Sequence, residues 1–436
     1  MGRSVTACPV AASAKANADR VALRFGGREW TWRQADAEVS TVEAALSREG
    51  VRAGSIVRRH SFNAPELAWT FFASARLGAI FTPLNARLTP AELERLPAPQ
   101  VSQSTGDDQI LAALYTSGTT GVPRAVPLTR RNFDANARAS AERLGASAAD
   151  RWLGSLPLFH IGGLAMAWRC ATSGAALELE PSFEVERMAG ALARGITHAS
   201  LVPTMLERVL DLMPQGPNDL RAVLIGGGPM SAATLRRARE RGMPVLQTYG
   251  LTEACSQVTT ERLSDADGTT AGPAILGVEV RISSPDAEGI GEIEVHGPTV
   301  SPSCGPWLAT KDLGRLDARG RLTVFARRTD LIVTGGENVY PAEVEAVLRE
   351  HPAVRDVAVG AVASPEWGQI VVAALVGEVN ETELLAWARE RLAGFKLPRR
   401  VVRVPELPRN ATGKIDRQAL RALLPLPRGG EGRGEG

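Results

Sequence analysis

Cysteine is scarce and scattered: Cys8, Cys170, Cys255 and Cys304 are the only four in 436 residues, and no Cys-x-x-Cys pair occurs. That argues against a structural zinc site and a disulfide framework, and predicts a reducing, cytoplasmic setting. No apolar run approaches the ~18 residues that span a bilayer. The first twenty residues also lack the apolar centre of a secretory signal, so no membrane insertion is expected. Charge of one sign is missing as well. Fifty Lys and Arg stand against 48 Asp and Glu, a net of +2, which excludes the basic field that nucleic acid or anionic lipid would need. The nucleotide loop Gly-x-x-x-x-Gly-Lys-Ser/Thr is absent. What remains is ordinary globular composition, 44% hydrophobic and 22% charged, at a length that predicts two or three domains.

Against this background one stretch stands out, Leu114-Tyr115-Thr116-Ser117-Gly118-Thr119-Thr120-Gly121-Val122-Pro123-Arg124. A strand-like apolar run opens into four hydroxyl residues and two glycines, followed by a proline and the cation Arg124. Glycines let backbone N–H groups turn toward an anion, and hydroxyls rotate to meet phosphate oxygens. A phosphate cradle and a plain Ser/Thr/Gly turn are both compatible with this composition.

Residues 19–90 mix strands with helices, the latter from Thr31 to about Arg48 and from Pro65 to Leu77. A polar linker, 97–109, precedes the cradle candidate. From 150 to 255 strands (Arg151 to Leu156, Ala175 to Leu179, His198 to Val202, Ala222 to Ile225, Val245 to Gln247) alternate with helices such as Thr204 to Leu212 and Ser231 to Arg241. This predicts an α/β domain with largely parallel sheets. Short alternating strands over 278–326 predict a small β subdomain. A strand from Leu331, a helix from Pro341 and further strands near Val354 and Val371 form a last unit of ~100 residues. The Pro/Gly-rich end after 424 reads as disordered.

Several clusters could carry chemistry. Gly226-Gly227-Gly228-Pro229 follows a strand, where open α/β sheets bind ligands; a tight turn is the plain alternative. Tyr249-Gly250-Leu251-Thr252-Glu253 offers a ring, backbone access and one carboxylate. One carboxylate is enough for Mg²⁺ when substrate phosphates supply the rest. His160 lies between apolar neighbours and Gly162-Gly163, where it is either a core histidine or a pocket wall. Lys414, in Asn410-Ala411-Thr412-Gly413-Lys414, is a mobile point charge on a turn. Asp312, Arg327 and the loop Thr334-Gly335-Gly336-Glu337-Asn338 fall near the domain junction.

In this order the segments resemble the adenylate-forming superfamily of acyl-CoA synthetases, luciferases and adenylation domains, over about residues 20–424. The strings Leu156 to Gly163, Ser200 to Leu206, the run from Thr248 to Thr260 and Leu331 to Glu345 narrow it to the 2-succinylbenzoate–CoA ligases of menaquinone biosynthesis. The resemblance implies an N-terminal AMP-binding domain (1–326), a hinge (327–330), a small mobile α+β C-terminal domain (331–424) and a tail (425–436). It implies ATP, Mg²⁺ and coenzyme A, with a small carboxylic acid as substrate. Thr116, Ser117, Gly118, Thr119, Thr120, Gly121 and Arg124 would grip the β,γ-phosphates. Gly226, Gly227, Gly228, Pro229, Tyr249 and Gly250 would flank adenine, and Asp312 and Arg327 would meet the ribose. Glu253, helped by Thr252, would hold Mg²⁺, and Lys414 would reach the reacting atoms. His160, Arg169, Val202 and Thr204 would line the acyl pocket, with Arg169 as candidate cation for a second carboxylate. Gly335, Gly336 and Glu337 would face coenzyme A.

Departures accompany the resemblance. The loop ends Pro123-Arg124-Ala125 where Pro-Lys-Gly is usual, Lys311 replaces a common Gly before Asp312, Ala326 replaces a common Gly before Arg327, and Thr329 sits where Asp or Lys is frequent. Segments 96–110 and 298–310 are short. Another aryl or fatty acyl ligase, and a non-catalytic adenylate-binding homologue, stay open at this level, as does a homo-oligomer.

Overall fold

The computed structural model describes residues 8–94, 96–101, 105–117, 123–228, 230, 232–327, 330–334, 337–364, 367–392, 394–410 and 413–424. Their largest sheet has eight strands, in the order Ser256–Thr260, Val245–Leu251, Ala222–Ile225, His198–Leu201, Arg151–Gly154, Ala176–Leu179, Val21–Phe25, Arg28–Thr31. Its middle pairs are parallel, as the strand–helix alternation predicts. Both edge pairs are antiparallel.

Two departures from a parallel reading matter for the site. Val245–Leu251 runs four residues beyond the expected end at Gln247, because Ser256–Thr260 folds back and pairs with it. Tyr249 and Gly250 therefore lie in a strand rather than after one. The second sheet, Ile56–His60, Ile80–Leu84, Ile110–Ser117, Pro123–Thr129, is parallel until its last pair. That pair is an antiparallel hairpin, with Thr116 opposite Arg124 and Ser117 opposite Pro123. The strands that flank the cradle candidate are thus paired with each other. A smaller correction follows local chemistry: the strand from Arg151 stops at Gly154, before the Pro157 turn.

Local signals position the helices. Thr31 caps Trp32–Arg48 reciprocally: its hydroxyl accepts from Gln34 N–H and its own N–H donates to Gln34 Oε1. Thr129 and Asn132 form the same box on Arg130–Leu144. Pro65 opens Pro65–Leu77, and Gly78 closes it at φ 70°. The scarce aromatics are concentrated where these helices meet. Phe71, Phe72 and Phe133 surround the fully buried Trp168 at centroid distances of 5.5–5.8 Å, and the Trp168 indole N–H donates to Asp134.

The β subdomain is four antiparallel strands, Glu279–Ser283, Gly291–His296, Leu308–Leu316 and Leu322–Arg327. The C-terminal sheet joins Glu337–Val339, Ile332–Thr334, Gly368–Gly377 and Val354–Ser364, with Arg400–Arg403 added alongside. Its two apolar clusters draw on residues 332–424 alone. Among the described residues, no helix is long and apolar enough to cross a membrane.

Candidate active site

The site begins at the carboxyl end of Ala222–Ile225. Gly227 follows with φ +85°, and a Cβ there would lie 3.2 Å from Val202 Cγ1 and 3.4 Å from Lys414 Cε. A side chain would therefore be strained and crowded at the point where the backbone must stay bare. The C-terminal turn is what crowds it. The position of a Cβ on Gly413 falls 3.4 Å from Thr204 Oγ1 and 3.9 Å from Val202 Cγ2. Lys414, more than 180 residues away in sequence, thus sits on the Val202–Thr204 segment and the Gly226–Gly228 turn.

The neighbouring strand supplies the next groups. The Tyr249 hydroxyl donates to Asp312 Oδ2 at 2.6 Å, tying the large sheet to the β subdomain. Asp312 is buried and pairs in register with the backbone of Arg327. Lys311, at φ 64°, occupies a left-handed conformation. This explains why glycine is usual there; a side chain costs roughly 1–2 kcal/mol. The Lys311 N–H donates to Glu292 Oε1.

Across the 3₁₀ turn Thr252–Ala254 the chain reverses sharply, with Cys255 at φ 51° and Ser256 at φ 91°. Gly250 faces this reversal so closely that a Cβ would lie 1.8 Å from Ser256 O. Two non-glycine residues held in this region mark a conformation imposed by its surroundings. Glu253 lies within the turn, and its carbonyl accepts from Ser301 N–H. Both Glu253 and Arg124 are close enough to act electrostatically on the Cys304 thiol, whose pKa burial pushes up. The hairpin cation and the turn carboxylate therefore converge on one end of the cleft.

The opposite wall comes from the segment before Ile161–Ser173. His160 caps this helix and packs on Phe159 at 4.6 Å. Its Nε2 is buried with no hydrogen-bond partner among the described residues. Burial first, then the charges of Lys414 and Arg87, lower its pKa to about 4. Arg87, absent from the sequence expectations, stands after Ile80–Leu84 in Asn85-Ala86-Arg87. Its only sequence signal is a cation just past a buried strand.

Arg169 is 6% exposed. Its Nε and Nη2 donate to Asn136 Oδ1 at 3.0 and 2.6 Å, and Nη2 also donates to Ser256 Oγ at 3.1 Å. Desolvation lowers its pKa to about 10. Among the described residues no carboxylate pairs with it, a costly arrangement for a buried cation unless something else supplies the charge. Asn136 and Ser256 were not singled out from sequence, since they lie 33 and 87 residues from Arg169.

Gly118, Thr119, Thr120, Gly121, Pro229, Gly335 and Gly336 lie outside the described residues, as do Arg328 and Thr329 of the expected hinge, residues 425–436 of the expected disordered tail, and the side chains of Ser117, Ala326, Arg327 and Glu337. Of the remaining candidates, Gly227, Val202, Thr204 and Lys414 meet one another beside His160, Tyr249 meets Asp312, Glu253 and Arg124 both act on Cys304, and Arg169 reaches Ser256 just past the Thr252–Ala254 turn.

The sequence pattern described as AMP-binding enzyme matches residues 10–98 and 95–303, and that of the AMP-binding enzyme C-terminal domain matches 343–414. The chain belongs to the AMP-binding enzymes. A 2-succinylbenzoate–CoA ligase from Bacillus pumilus is 34% identical, over 93% of this chain and 95% of the relative. That alignment runs to 464 positions, longer than the 436 residues here, so this AMP-binding enzyme is the trimmed partner. The o-succinylbenzoate CoA synthetase of Bacillus subtilis, solved with its acyl-adenylate intermediate, is 32% identical, with 95% and 98% of the two chains covered and a TM-score of 0.87. Its complex with ATP and magnesium ion also scores 0.87. A double mutant of the same synthetase bound to a product analogue covers the same shares at the same identity, yet scores 0.70.

In this AMP-binding enzyme His160 is neutral over the neutral pH range, so its imidazole can accept or donate one hydrogen bond but carries no charge. Its folded pKa of about 4 lies below the ordinary value of 6.5. The unfolded chain therefore binds more protons between those values, and stability falls as pH drops from 6.5 toward 4, by up to ~3 kcal/mol. His160→Gln is expected to lose less thermal stability over that window than the parent; equal losses in melting scans would contradict a neutral buried imidazole.

Proposed function

We propose that this chain is an ATP-dependent acid–CoA ligase acting on 2-succinylbenzoate, in two half-reactions. The observation that carries the reading is Lys414, delivered by a distant C-terminal turn onto Gly227, Val202 and Thr204 beside the half-buried His160. A cation brought from the C-terminal turn to the glycine turn at a strand end suits a reaction between two anions. The nature of the relatives points the same way.

In the first half-reaction a carboxylate oxygen bonds to the α-phosphorus of ATP and pyrophosphate leaves. Lys414 stabilises the charge that builds there. Arg124 and the hydroxyls from Thr116 onward hold the departing phosphates, the Gly226–Gly228 turn and Tyr249 flank adenine, and Asp312 takes the ribose hydroxyls. The donor set fits Mg²⁺. Among the described residues no group of three or more metal-binding side chains occurs, and Glu253, with Thr252 close by, supplies the one carboxylate that Mg²⁺ needs beside phosphate oxygens. Bound there, the ion would neutralise phosphate charge.

In the second half-reaction the coenzyme A sulfur bonds to the acyl carbon and AMP leaves. We assign residues 1–326 and 331–424 as two bodies about a hinge at 327–330, whose rotation withdraws Lys414 and presents Gly335, Gly336 and Glu337 to coenzyme A. Arg169 is assigned to the second carboxylate of the acid. Asn136 and Ser256 aim its guanidinium, and the substrate would supply the counter-charge that the described residues do not. The unpaired, mostly buried thiols support a cytoplasmic setting.

Coenzyme A-dependent AMP release with 2-succinylbenzoate, benzoate and octanoate tests the substrate. We expect 2-succinylbenzoate to lead by at least about 10-fold in kcat/KM. A lead for benzoate or octanoate would refute the assignment of the acid, and no AMP release with any would refute the ligase.

A further inference from the structure

Tyr340 links the C-terminal unit to the β subdomain. It immediately precedes Pro341–Arg349, is 4% exposed, and its hydroxyl donates to Asp286 Oδ2 at 3.2 Å. Asp286 is held ready for it. The other carboxylate oxygen, Oδ1, accepts from Glu288 N–H and Ile290 N–H, both at 2.9 Å, and this fixes the turn 286–290. The Tyr340 ring packs on Phe325 at a centroid distance of 5.4 Å, within an apolar seam with Ile290 and Leu313. Burial, then the Asp286 carboxylate, pushes the Tyr340 hydroxyl up to about 12, so it stays a donor throughout the neutral range.

Tyr340 is bonded across the junction, and ion pairs tie its unit together internally. Asp330, ten residues earlier, faces Arg417 and Arg421 at 3.8 and 3.7 Å, and Glu345 accepts from Arg417 at 2.9 Å. A pull on Tyr340 is thus transmitted through one packed body to the turn bearing Lys414. Against the Bacillus subtilis synthetase this chain scores 0.87 with the adenylate- and ATP-bound structures and 0.70 with the product-analogue complex, so its overall arrangement is nearer to the first two.

We propose that Tyr340 and Asp286 are positioning residues: their hydrogen bond and the Phe325 contact hold the C-terminal unit where Lys414 enters the cleft, and so serve adenylation rather than thioester formation. The pair touches no reacting atom and acts through Lys414. This rests on the ligase reading, which the parent enzyme's pyrophosphate exchange tests separately.

Tyr340→Phe keeps the ring contact and removes the hydroxyl. It should lower ATP–pyrophosphate exchange about 5-fold, the worth of one hydrogen bond. Thioester formation from supplied acyl-adenylate should be unchanged or faster. Asp286→Asn retains both the turn acceptor and a neutral partner for Tyr340, so it should restore most of the exchange rate relative to Asp286→Ala. In a Lys414→Ala background, Tyr340→Phe should add no further loss. Equal falls in both half-reactions would mark a merely structural role and overturn the proposal. So would unchanged exchange in Tyr340→Phe, or the same 5-fold loss without Lys414.

Discussion

Lys414→Ala lowers acyl-adenylate formation by about 10²–10³-fold, measured as acid-dependent ATP–pyrophosphate exchange, while ATP affinity changes little. The magnitude follows from removing one preorganised charge that acts on the transition state, roughly 3–4 kcal/mol. The selectivity follows from geometry. Nucleotide contacts are assigned to the strand ends and the β subdomain, including the Tyr249–Asp312 pair, and none of them depends on the C-terminal turn. The lysine is also exposed on a turn, so its truncation leaves the core untouched. Thioester formation from supplied acyl-adenylate should keep its parent rate, because Lys414 is then withdrawn. An ATP dissociation constant that rose as much as the exchange rate fell would mean that Lys414 grips the ground state instead.

The second large effect concerns the choice of acid. Arg169→Met should lower kcat/KM for 2-succinylbenzoate by about 10²-fold, in line with the 2–5 kcal/mol lost when one partner of a buried charge pair is truncated. Octanoate, lacking a second carboxylate, should lose little. Arg169 is also a brace between Asn136 and Ser256, so a variant that keeps it is needed. Asn136→Asp gives the guanidinium a carboxylate of the protein's own. It should preserve the fold yet weaken 2-succinylbenzoate selectively, since the cation is already paired. If both variants slowed octanoate as much as 2-succinylbenzoate, Arg169 would be structural and the distal carboxylate would be bound elsewhere.

What could be read from sequence was whatever depends on near neighbours. Pro65–Leu77 and Ala222–Ile225 are found at their expected bounds because a proline start, a glycine stop and unbroken apolar runs are local signals. Val245–Leu251 was read short because its antiparallel partner lies beyond a reversal that only left-handed Cys255 and Ser256 permit. The same rule divides the site. Glycine turns, Glu253 and Lys414 are visible as motifs. Arg87 and Asn136 gain meaning only from what faces them, and Tyr340 and Asp286, 54 residues apart, meet only once two units are docked. Lys311 was conspicuous by its side chain, but its φ of 64° supplied the reason.

The hairpin beneath the Ser/Thr/Gly stretch has a thermodynamic consequence. Ser117 pairs with Pro123 and Thr116 with Arg124 across the antiparallel ladder. A hydroxyl residue and a cation eight positions apart are therefore direct cross-strand neighbours on one face of the sheet. The ladder itself has met the entropy of bringing them together, so an anion that used both would incur no separate closure cost.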